Sequence, residues 1–225
     1  MHFIFDFFGT LVTYRDGVRG NPVSRALAAL TSCGVELTAD ALTERFTGCF
    51  ETLERSVGTT LREFSMHDAA GMLFEELGLT ASRARLDTFI EAYLGDWTES
   101  VQALPNLPVW LAALPGSKSV LSNTHHEPMV VGLMERLNIR ESFQRVTTSI
   151  GHGHRKPHPS IYRAHLDAIG VQASDVVFVG DNPECDYFGP RAVGIEAYLI
   201  AARPVSGVAE RHRLAHLYQL AERLS

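Results

Sequence analysis

At residues 3–11 the chain reads Phe3-Ile4-Phe5-Asp6-Phe7-Phe8-Gly9-Thr10-Leu11, an almost unbroken apolar run that contains a single acid and a Gly-Thr turn. An apolar run of this kind is typical of a buried parallel strand. Open α/β sheets bind ligands at the carboxyl ends of their strands. Asp6, placed at such an end beside the backbone N–H groups of the Gly9 turn, is therefore a candidate nucleophile or metal ligand.

Further short apolar segments recur along the chain and are mostly separated by helical patterns. They are Ser119 to Leu121, Arg145 to Thr147, Val176 to Val179 and Ala197 to Ile200. This alternation predicts an α/β fold built on a doubly wound, Rossmann-like parallel sheet. The last segment, from Val208 to Leu224, is interpreted as a helix that packs its leucines against the sheet.

Between Asp16 and roughly Ser100 the pattern changes to helical periodicity. The four helical segments are Val23 to Cys33, Ala41 to Ser56, Leu61 to Leu77 and Ala81 to Gly95. We therefore predict an α-helical cap domain of residues 16–100, inserted into a core domain of residues 1–15 and 101–225. A helical bundle over the carboxyl edge of the sheet would act as a lid that excludes water.

Composition narrows the class of protein. A chain of 225 residues can form one good core with a small inserted module. With 20 basic and 26 acidic side chains, it carries no basic stripe of the kind that nucleic acid requires. The absence of an apolar stretch of ~20 residues and of a leader pattern predicts a cytoplasmic protein with no membrane partner. Cys33, Cys49 and Cys185 are interpreted as buried or inert thiols.

Two later loops also follow predicted strands, so the fold would bring them to the same edge of the sheet as Asp6. Ser122-Asn123-Thr124 precedes a predicted helix, where a hydroxyl and exposed N–H groups form an anion site, although these residues are also common in ordinary turns. Lys156 precedes Pro157 at the start of another helix and could supply positive charge beside a reacting group, although most lysines are solvated.

A fourth loop follows the strand Val176 to Val179 and contains Gly180, Asp181 and Asp186. Two carboxylates facing Asp6 would repel one another and any anionic substrate. A magnesium ion, which prefers oxygen ligands, would offset the repulsion between Asp6 and Asp181. The alternative for either acid of this loop is capping of the following helix, which is favourable by ~1 kcal/mol.

In this order the four loops resemble the haloacid dehalogenase superfamily: D-x-x-G-T-L, Ser-Asn, Lys-Pro, and Gly-Asp followed by a second Asp. The resemblance extends from Asp6 to Asp186 and implies a hydrolase whose helical insert is the superfamily's first type of cap. By this resemblance, Asp6 is the covalent nucleophile, and Asp186 supports the metal or Lys156. The resemblance implies that the Mg²⁺ ligands are Asp6, Asp181 and the backbone carbonyl of Phe8. It implies that the substrate-binding residues are Thr10, Ser122, Asn123 and Lys156, of which Ser122 and Lys156 are also catalytic.

Phe8 departs from this pattern, because the superfamily's phosphatases resemble one another in having an acid two residues after the nucleophile. That acid protonates the leaving alkoxide and then activates water, and its loss typically costs ~10²–10⁴-fold in rate. The first interpretation is a phosphatase or phosphotransferase whose leaving group needs little protonation, or one that borrows an acid from elsewhere. The candidate lenders are His125, His126, His152 and His154.

The second interpretation is a metal-independent 2-haloacid dehalogenase, since halide leaves without a proton. The dehalogenases resemble this chain in an aromatic residue at the position of Phe8 and in a tyrosine at that of Tyr162. They differ in having serine where this chain has Asp181, and asparagine where it has Pro183. A carboxylate at Asp181 would be costly in a metal-free pocket built for a carboxylate substrate.

The third interpretation is a catalytically weak member of the superfamily that binds a ligand or a protein. The combination of Asp6, Lys156, Asp181 and Asp186 favours the first interpretation, a magnesium-dependent phosphatase that acts on a small phosphorylated metabolite through an aspartyl-phosphate at Asp6. The sequence identifies neither the substrate nor the oligomeric state. The candidate anion contacts in the cap are Arg19, Arg25, Arg45 and Arg62.

Overall fold

The computed structural model describes residues 1–14 and 23–223. The chain divides into two compact units, one formed by Met1–Thr13 and Gln102–Ser225 and the other by Tyr14–Val101. The first unit is α/β, and the described part of the second is helical. No helix among the described residues is long and apolar enough to cross a membrane.

Within residues 1–14 and 23–223, the strands all belong to the α/β unit. They are β1 His2–Phe5, β2 Val12–Thr13, β3 Gln102–Ala103, β4 Ser117–Ser122, β5 Arg145–Thr148, β6 Val176–Gly180, β7 Glu196–Ile200 and β8 Arg213–Leu214. Six of the described strands form a parallel sheet in the order β5-β4-β1-β6-β7-β8, while β2 and β3 pair antiparallel. The predicted α/β fold with a parallel sheet is confirmed.

The helices divide between the two units. Those of the helical unit are α1 Ser24–Ser32, α2 Ala39–Val57, α3 Met66–Glu76 and α4 Arg83–Thr98; those of the α/β unit are α5 Leu107–Ala113, α6 Glu127–Arg136, α7 Ser149–His152, α8 Pro159–Ile169, α9 Gly189–Ala192 and α10 Leu220–Arg223.

Strand β1 lies in the middle of the sheet, paired in parallel with β4 on one side and β6 on the other. Its residues are buried along the whole strand, and Phe3, Ile4 and Phe5 form part of the core. A strand covered on both faces has no solvent side, which explains why its sequence shows no polar alternation. The strand order changes direction at β1, the type of position where open α/β sheets bind ligands.

The carboxyl-terminal segment does not form the single helix predicted from its leucine spacing. Arg213–Leu214 is instead the short edge strand β8, whose Leu214 carbonyl accepts a hydrogen bond of 2.8 Å from Ala201 N. Helix α10 covers only Leu220–Arg223. Pairing with β7 satisfies backbone groups that the sheet edge would otherwise leave open, and this long-range gain outweighs the local helical pattern.

The helical unit is held together by an apolar cluster in which Phe46, Phe74 and Phe89 are almost completely buried. The N-cap residue of α1 is Val23, whose side chain has no hydrogen-bond acceptor. The carboxylate of Asp96 in α4 accepts hydrogen bonds from the first N–H groups of α1 instead. Its Oδ2 accepts hydrogen bonds from Arg25 N at 2.9 Å and from Ala26 N at 3.2 Å. This contact satisfies helix-end donors of α1 and fixes α1 against α4.

Two of the arginines proposed as anion contacts are engaged inside the helical unit. Arg25 forms an ion pair with Glu99, and Arg45 forms one with Glu76. Arg19, and the predicted domain boundary at Asp16, lie outside the described residues.

Two buried histidines are joined across the sheet by a chain of hydrogen bonds. Ser119 Oγ lies 2.7 Å from His2 Nε2 and 2.8 Å from His165 Nε2, and His165 Nδ1 lies 2.8 Å from Thr147 Oγ1. Burial lowers the pKa of His2 to about 4 and that of His165 to about 3. Both imidazoles are therefore neutral in the folded protein at neutral pH.

We expect this histidine pair to make the protein sensitive to acid. Unfolded imidazoles take up protons as the pH falls through about 6.5, whereas the folded ones do not until the pH approaches their lowered pKa values. The stability that each contributes is complete above pH 6.5 and is lost as the pH falls, by ~2 kcal/mol per histidine at pH 5. Urea unfolding at pH 7 and pH 5 should show that the wild type loses ~2 kcal/mol more than His165→Gln, which keeps polar atoms but does not titrate. Equal losses would contradict this expectation.

Candidate active site

The carboxyl end of β1 places Asp6 beside the ends of β4 and β6. Asp6 N continues the sheet by donating to Val179 O at 2.9 Å. The chain then turns sharply, with Leu11 N donating to Phe7 O at 2.9 Å and Gly9 N donating to Val12 O at 3.0 Å. The backbone of Asp6 is therefore held on both sides, which restricts where its carboxylate can lie.

Lys156 bridges two acids at this edge of the sheet. Its Nζ donates to Asp6 Oδ1 at 2.8 Å and to Asp186 Oδ1 at 2.7 Å. The lysine side chain is 2% exposed, and the ammonium also lies 5.3 Å from the centre of the Phe178 ring. Thr10 Oγ1 donates to Asp6 Oδ2 at 3.3 Å. Both oxygens of Asp6 therefore accept hydrogen bonds from neighbouring side chains.

Burial and the surrounding charges move the pKa values of this pair. Burial raises the pKa of Asp6 to about 7; Lys156 acts in the opposite direction, and the charges of Asp186 and Asp181 add to the increase. Burial would lower the pKa of Lys156, but the charges of Asp186 and Asp6 outweigh it and hold that pKa above its usual range. Lys156 therefore stays protonated at neutral pH.

Asp181 completes an acidic cluster with Asp6 and Asp186. Each of the three carboxylates offers one oxygen, and these oxygens lie within 4.8 Å of one another; Asp181 is exposed and the other two acids are buried. The three carboxylates carry three negative charges when all are ionised, and the ammonium of Lys156 contacts two of them, those of Asp6 and Asp186. An all-oxygen donor set with this charge fits a hard divalent cation such as Mg²⁺.

Two glycines allow the acids to approach so closely. A Cβ on Gly9, which has a φ of 80°, would lie 2.2 Å from Asp181 Oδ2. A Cβ on Gly180 would lie 2.4 Å from Asp186 Cγ. Since real Cβ atoms do not approach other atoms so closely, each glycine leaves the space that a carboxylate occupies.

Asp186 is used for support within its own loop. Its Oδ1 accepts from Lys156, and its Oδ2 accepts from Asn182 N at 2.9 Å. The cap of the π-helical segment Pro183–Phe188 is Asn182, whose side chain accepts from Cys185 N. Helix capping was the alternative role for Asp181 and Asp186, but Asn182, which lies between them in the sequence, caps this segment.

Asn123 contacts the backbone of Lys156 through both polar atoms of its side chain. Its Oδ1 accepts from Lys156 N at 2.8 Å, and its Nδ2 donates to Lys156 O at 3.0 Å. Cys185 Sγ donates to the same carbonyl at 3.3 Å. Both polar atoms of the Asn123 side chain therefore hold the backbone of Lys156 in position, and substrate binding by Asn123 stays a prediction.

Ser122 ends β4 and is completely buried, with its Oγ donating to Asn123 O at 3.4 Å. A hydrogen bond of this length is weak, so the hydroxyl can turn to another acceptor at little cost. Tyr162 is also buried, and its hydroxyl donates to the backbone carbonyl of Cys185. The tyrosine that fitted the dehalogenase pattern thus supports the loop that carries Asp186.

The histidines considered as acid donors lie in two loops. His125 and His126 are half-buried after β4. His154 stacks on His158 with ring centres 4.3 Å apart, and lies 6.1 Å from the ring of His152. Ser160 Oγ lies 2.8 Å from His152 Nε2 and 2.7 Å from His158 Nδ1. Burial lowers the pKa of His152, so this imidazole is neutral at pH 7 and a poor proton donor.

Residues 1–194 match the sequence profile of the haloacid dehalogenase-like hydrolases. The chain belongs to this family. The resemblance that the four loops predicted is therefore confirmed, and with it the assignment to the hydrolases.

Individual members of the haloacid dehalogenase-like hydrolases match parts of the chain. It is 38% identical over 82 residues to the human haloacid dehalogenase-like hydrolase domain-containing protein 3, covering 36% of this chain and 32% of that protein. It is 29% identical over 124 residues to phosphoglycolate phosphatase of Rhodospirillum rubrum, covering 54% and 51% of the two chains. The matches thus span about a third and about a half of these two relatives.

The fold is shared by a solved structure of the same superfamily, a 2-haloacid dehalogenase from Pseudomonas syringae. The two chains superpose with a TM-score of 0.78 and 20% identity, covering 99% of this chain and 97% of the other. At 20% identity this similarity establishes the fold alone. The reaction of this haloacid dehalogenase-like hydrolase therefore depends on the residues of its own site.

Proposed function

We propose that this protein is a magnesium-dependent phosphatase or phosphotransferase that acts on a small phosphorylated metabolite through Asp6. The proposal is carried by one observation: Asp6 contacts Lys156 inside a cluster of three carboxylates whose oxygens lie within 4.8 Å of one another. The matching relative named phosphoglycolate phosphatase acts on a compound of this class, which supports the proposal.

Asp6, Asp181 and the backbone carbonyl of Phe8 would hold the magnesium ion. When bound, Mg²⁺ supplies positive charge that offsets the repulsion among the carboxylates and draws negative charge off a phosphoryl group. It would also favour the ionised form of Asp6, which burial disfavours in the protein alone.

The side chains of the site perform two displacements. An oxygen of Asp6 attacks phosphorus, the bond from phosphorus to the leaving oxygen breaks, and the leaving group departs with the electron pair. Water then attacks the aspartyl-phosphate, the bond from phosphorus to Asp6 breaks, and phosphate is released. Lys156 and Ser122 bind the oxygens of the transferring group, while Thr10 holds the Asp6 carboxylate in place.

Halide displacement is the second candidate, because Phe8 suits a leaving group that needs no proton. A 2-haloacid, however, carries its own carboxylate, which the carboxylates of Asp6, Asp181 and Asp186 would repel. A phosphoryl group is also repelled by these carboxylates, but a magnesium ion bound by the cluster would offset that repulsion. The acidic cluster therefore favours phosphoryl transfer.

An assay panel tests this proposal against its alternatives. Phosphate esters, acyl phosphates and 2-haloacids are each incubated with the protein in magnesium and in chelator. We expect phosphate release in magnesium that falls by ~10²-fold or more in chelator, since the metal contributes several kcal/mol of charge stabilisation. Halide release in chelator would overturn the proposal of phosphoryl transfer and show that the protein is a dehalogenase. Binding of phosphate compounds without any turnover would favour the catalytically weak alternative.

A further inference from the structure

Phe8 occupies a fixed place two residues after the proposed nucleophile. It is half-buried, its ring packs edge-on against Phe7 with centres 4.9 Å apart, and its backbone bridges to Val12. Because the turn is closed by backbone hydrogen bonds to Phe7 O and Val12 O, the position of residue 8 relative to Asp6 is set by the fold. A hydrocarbon ring at this position can neither donate nor accept a proton.

The side chains of Lys156, Thr10 and Tyr162, which carry protons, are already used as hydrogen-bond donors inside the site. Lys156 donates to Asp6 and Asp186, and Thr10 donates to Asp6. Tyr162 donates to a backbone carbonyl of the loop that carries Asp186. Asp181 would be ionised as a metal ligand, so it would have no proton to give. These described groups of the α/β unit bind and position, and none of them replaces the acid that Phe8 lacks.

We propose that this enzyme selects phosphoryl donors whose leaving group is stable without a proton, acyl phosphates in particular, and discriminates against alkyl phosphate monoesters. The inference rests on the proposed function, because it concerns the first displacement at Asp6. In that step the bond between an Asp6 oxygen and phosphorus forms, the bond from phosphorus to the acyl oxygen breaks, and the carboxylate product keeps the electron pair.

The chemistry of the leaving group gives the physical reason. A departing carboxylate has a conjugate acid of pKa ~4, whereas an unprotonated alkoxide has one of ~15 and is expelled only with the help of an acid. The aspartyl-phosphate at Asp6 is itself an acyl phosphate. Transfer from an acyl phosphate therefore exchanges one bond for another of the same kind, while transfer from an alkyl ester has to form a less stable bond without acid catalysis.

The test is the dependence of kcat/KM on the leaving group, measured with magnesium. The substrates are aryl phosphates whose phenols span pKa values of ~5 to ~10, together with acetyl phosphate and an alkyl phosphate. We expect kcat/KM of the wild type to fall roughly 5- to 10-fold for each unit of phenol pKa. Phe8→Asp should flatten this dependence and raise alkyl phosphate turnover by ~10²–10⁴-fold, with a much smaller change on acetyl phosphate.

Phe8→Asn is the matched control, since it has the shape of aspartate without its proton, and it should keep the steep dependence. A flat dependence in the wild type, with Asp6- and magnesium-dependent turnover intact, would overturn the inference and leave the proposed function standing. Absence of magnesium-dependent turnover on every substrate would instead overturn the proposed function. If Phe8→Asp does not fold, the slope of the wild type alone decides between these outcomes.

Discussion

Asp6→Asn is expected to lower magnesium-dependent phosphoryl transfer by ~10⁴-fold or more while the protein stays folded. An amide keeps the size of the carboxylate but is a far weaker nucleophile, so the first displacement cannot proceed. Folding should be spared, because burial already raises the pKa of Asp6 to about 7 and a neutral group is tolerated there. Phosphate release measures turnover. The mass of the protein after incubation with substrate shows whether a phosphoryl group has been attached.

Asp167→Asn makes the same chemical change on the exposed side of α8 and serves as the control. It should keep wild-type activity and stability, since surface substitutions of this kind change stability by less than ~0.5 kcal/mol. Wild-type rates in Asp6→Asn would show that another residue attacks phosphorus, and phosphorylated protein in that variant would lead to the same conclusion.

Lys156→Met is expected to cost ~3–5 kcal/mol of unfolding free energy and also to lower activity. Methionine fills similar space, but it leaves the buried carboxylates of Asp6 and Asp186 adjacent and without their shared cation. Breaking a buried ion pair from one side is costly because an uncompensated charge remains. Urea unfolding in chelator measures the loss without any contribution from metal binding.

A second variant separates loss of charge from loss of packing. In Lys156→Met combined with Asp186→Asn, one unpaired carboxylate is removed, so part of the lost stability should return. The chain's only other lysine offers a matched control: Lys118 is also buried, but it donates to the backbone carbonyls of Leu114 and Gly116. Lys118→Met should therefore cost less than Lys156→Met. Equal costs for the two variants would mean that the carboxylates are not the cause.

Local patterns in the sequence predicted the five strands β1, β4, β5, β6 and β7 and the helical character of residues 23–98. Phe3 to Phe5 reads as a strand because both of its faces are buried, and the helices between residues 23 and 98 show their period because each has one apolar face. Patterns failed where a long-range contact was decisive. The pairing of Arg213–Leu214 with β7 replaced a predicted helix, and the two-residue strands β2 and β3 are too short to show a period.

The same division holds for the site. The sequence alone determined which residues stand at the strand ends, since a parallel sheet brings its carboxyl ends to one edge, and it placed Phe8 where an acid was expected. Only the tertiary structure decided that Asn123 holds Lys156, a contact between residues 33 positions apart, and that Lys156 joins Asp6 across 150 positions. Side-chain partners depend on distances across the fold that no local period records. Consequently the sequence could name the chemical groups, but the structure assigned their contacts.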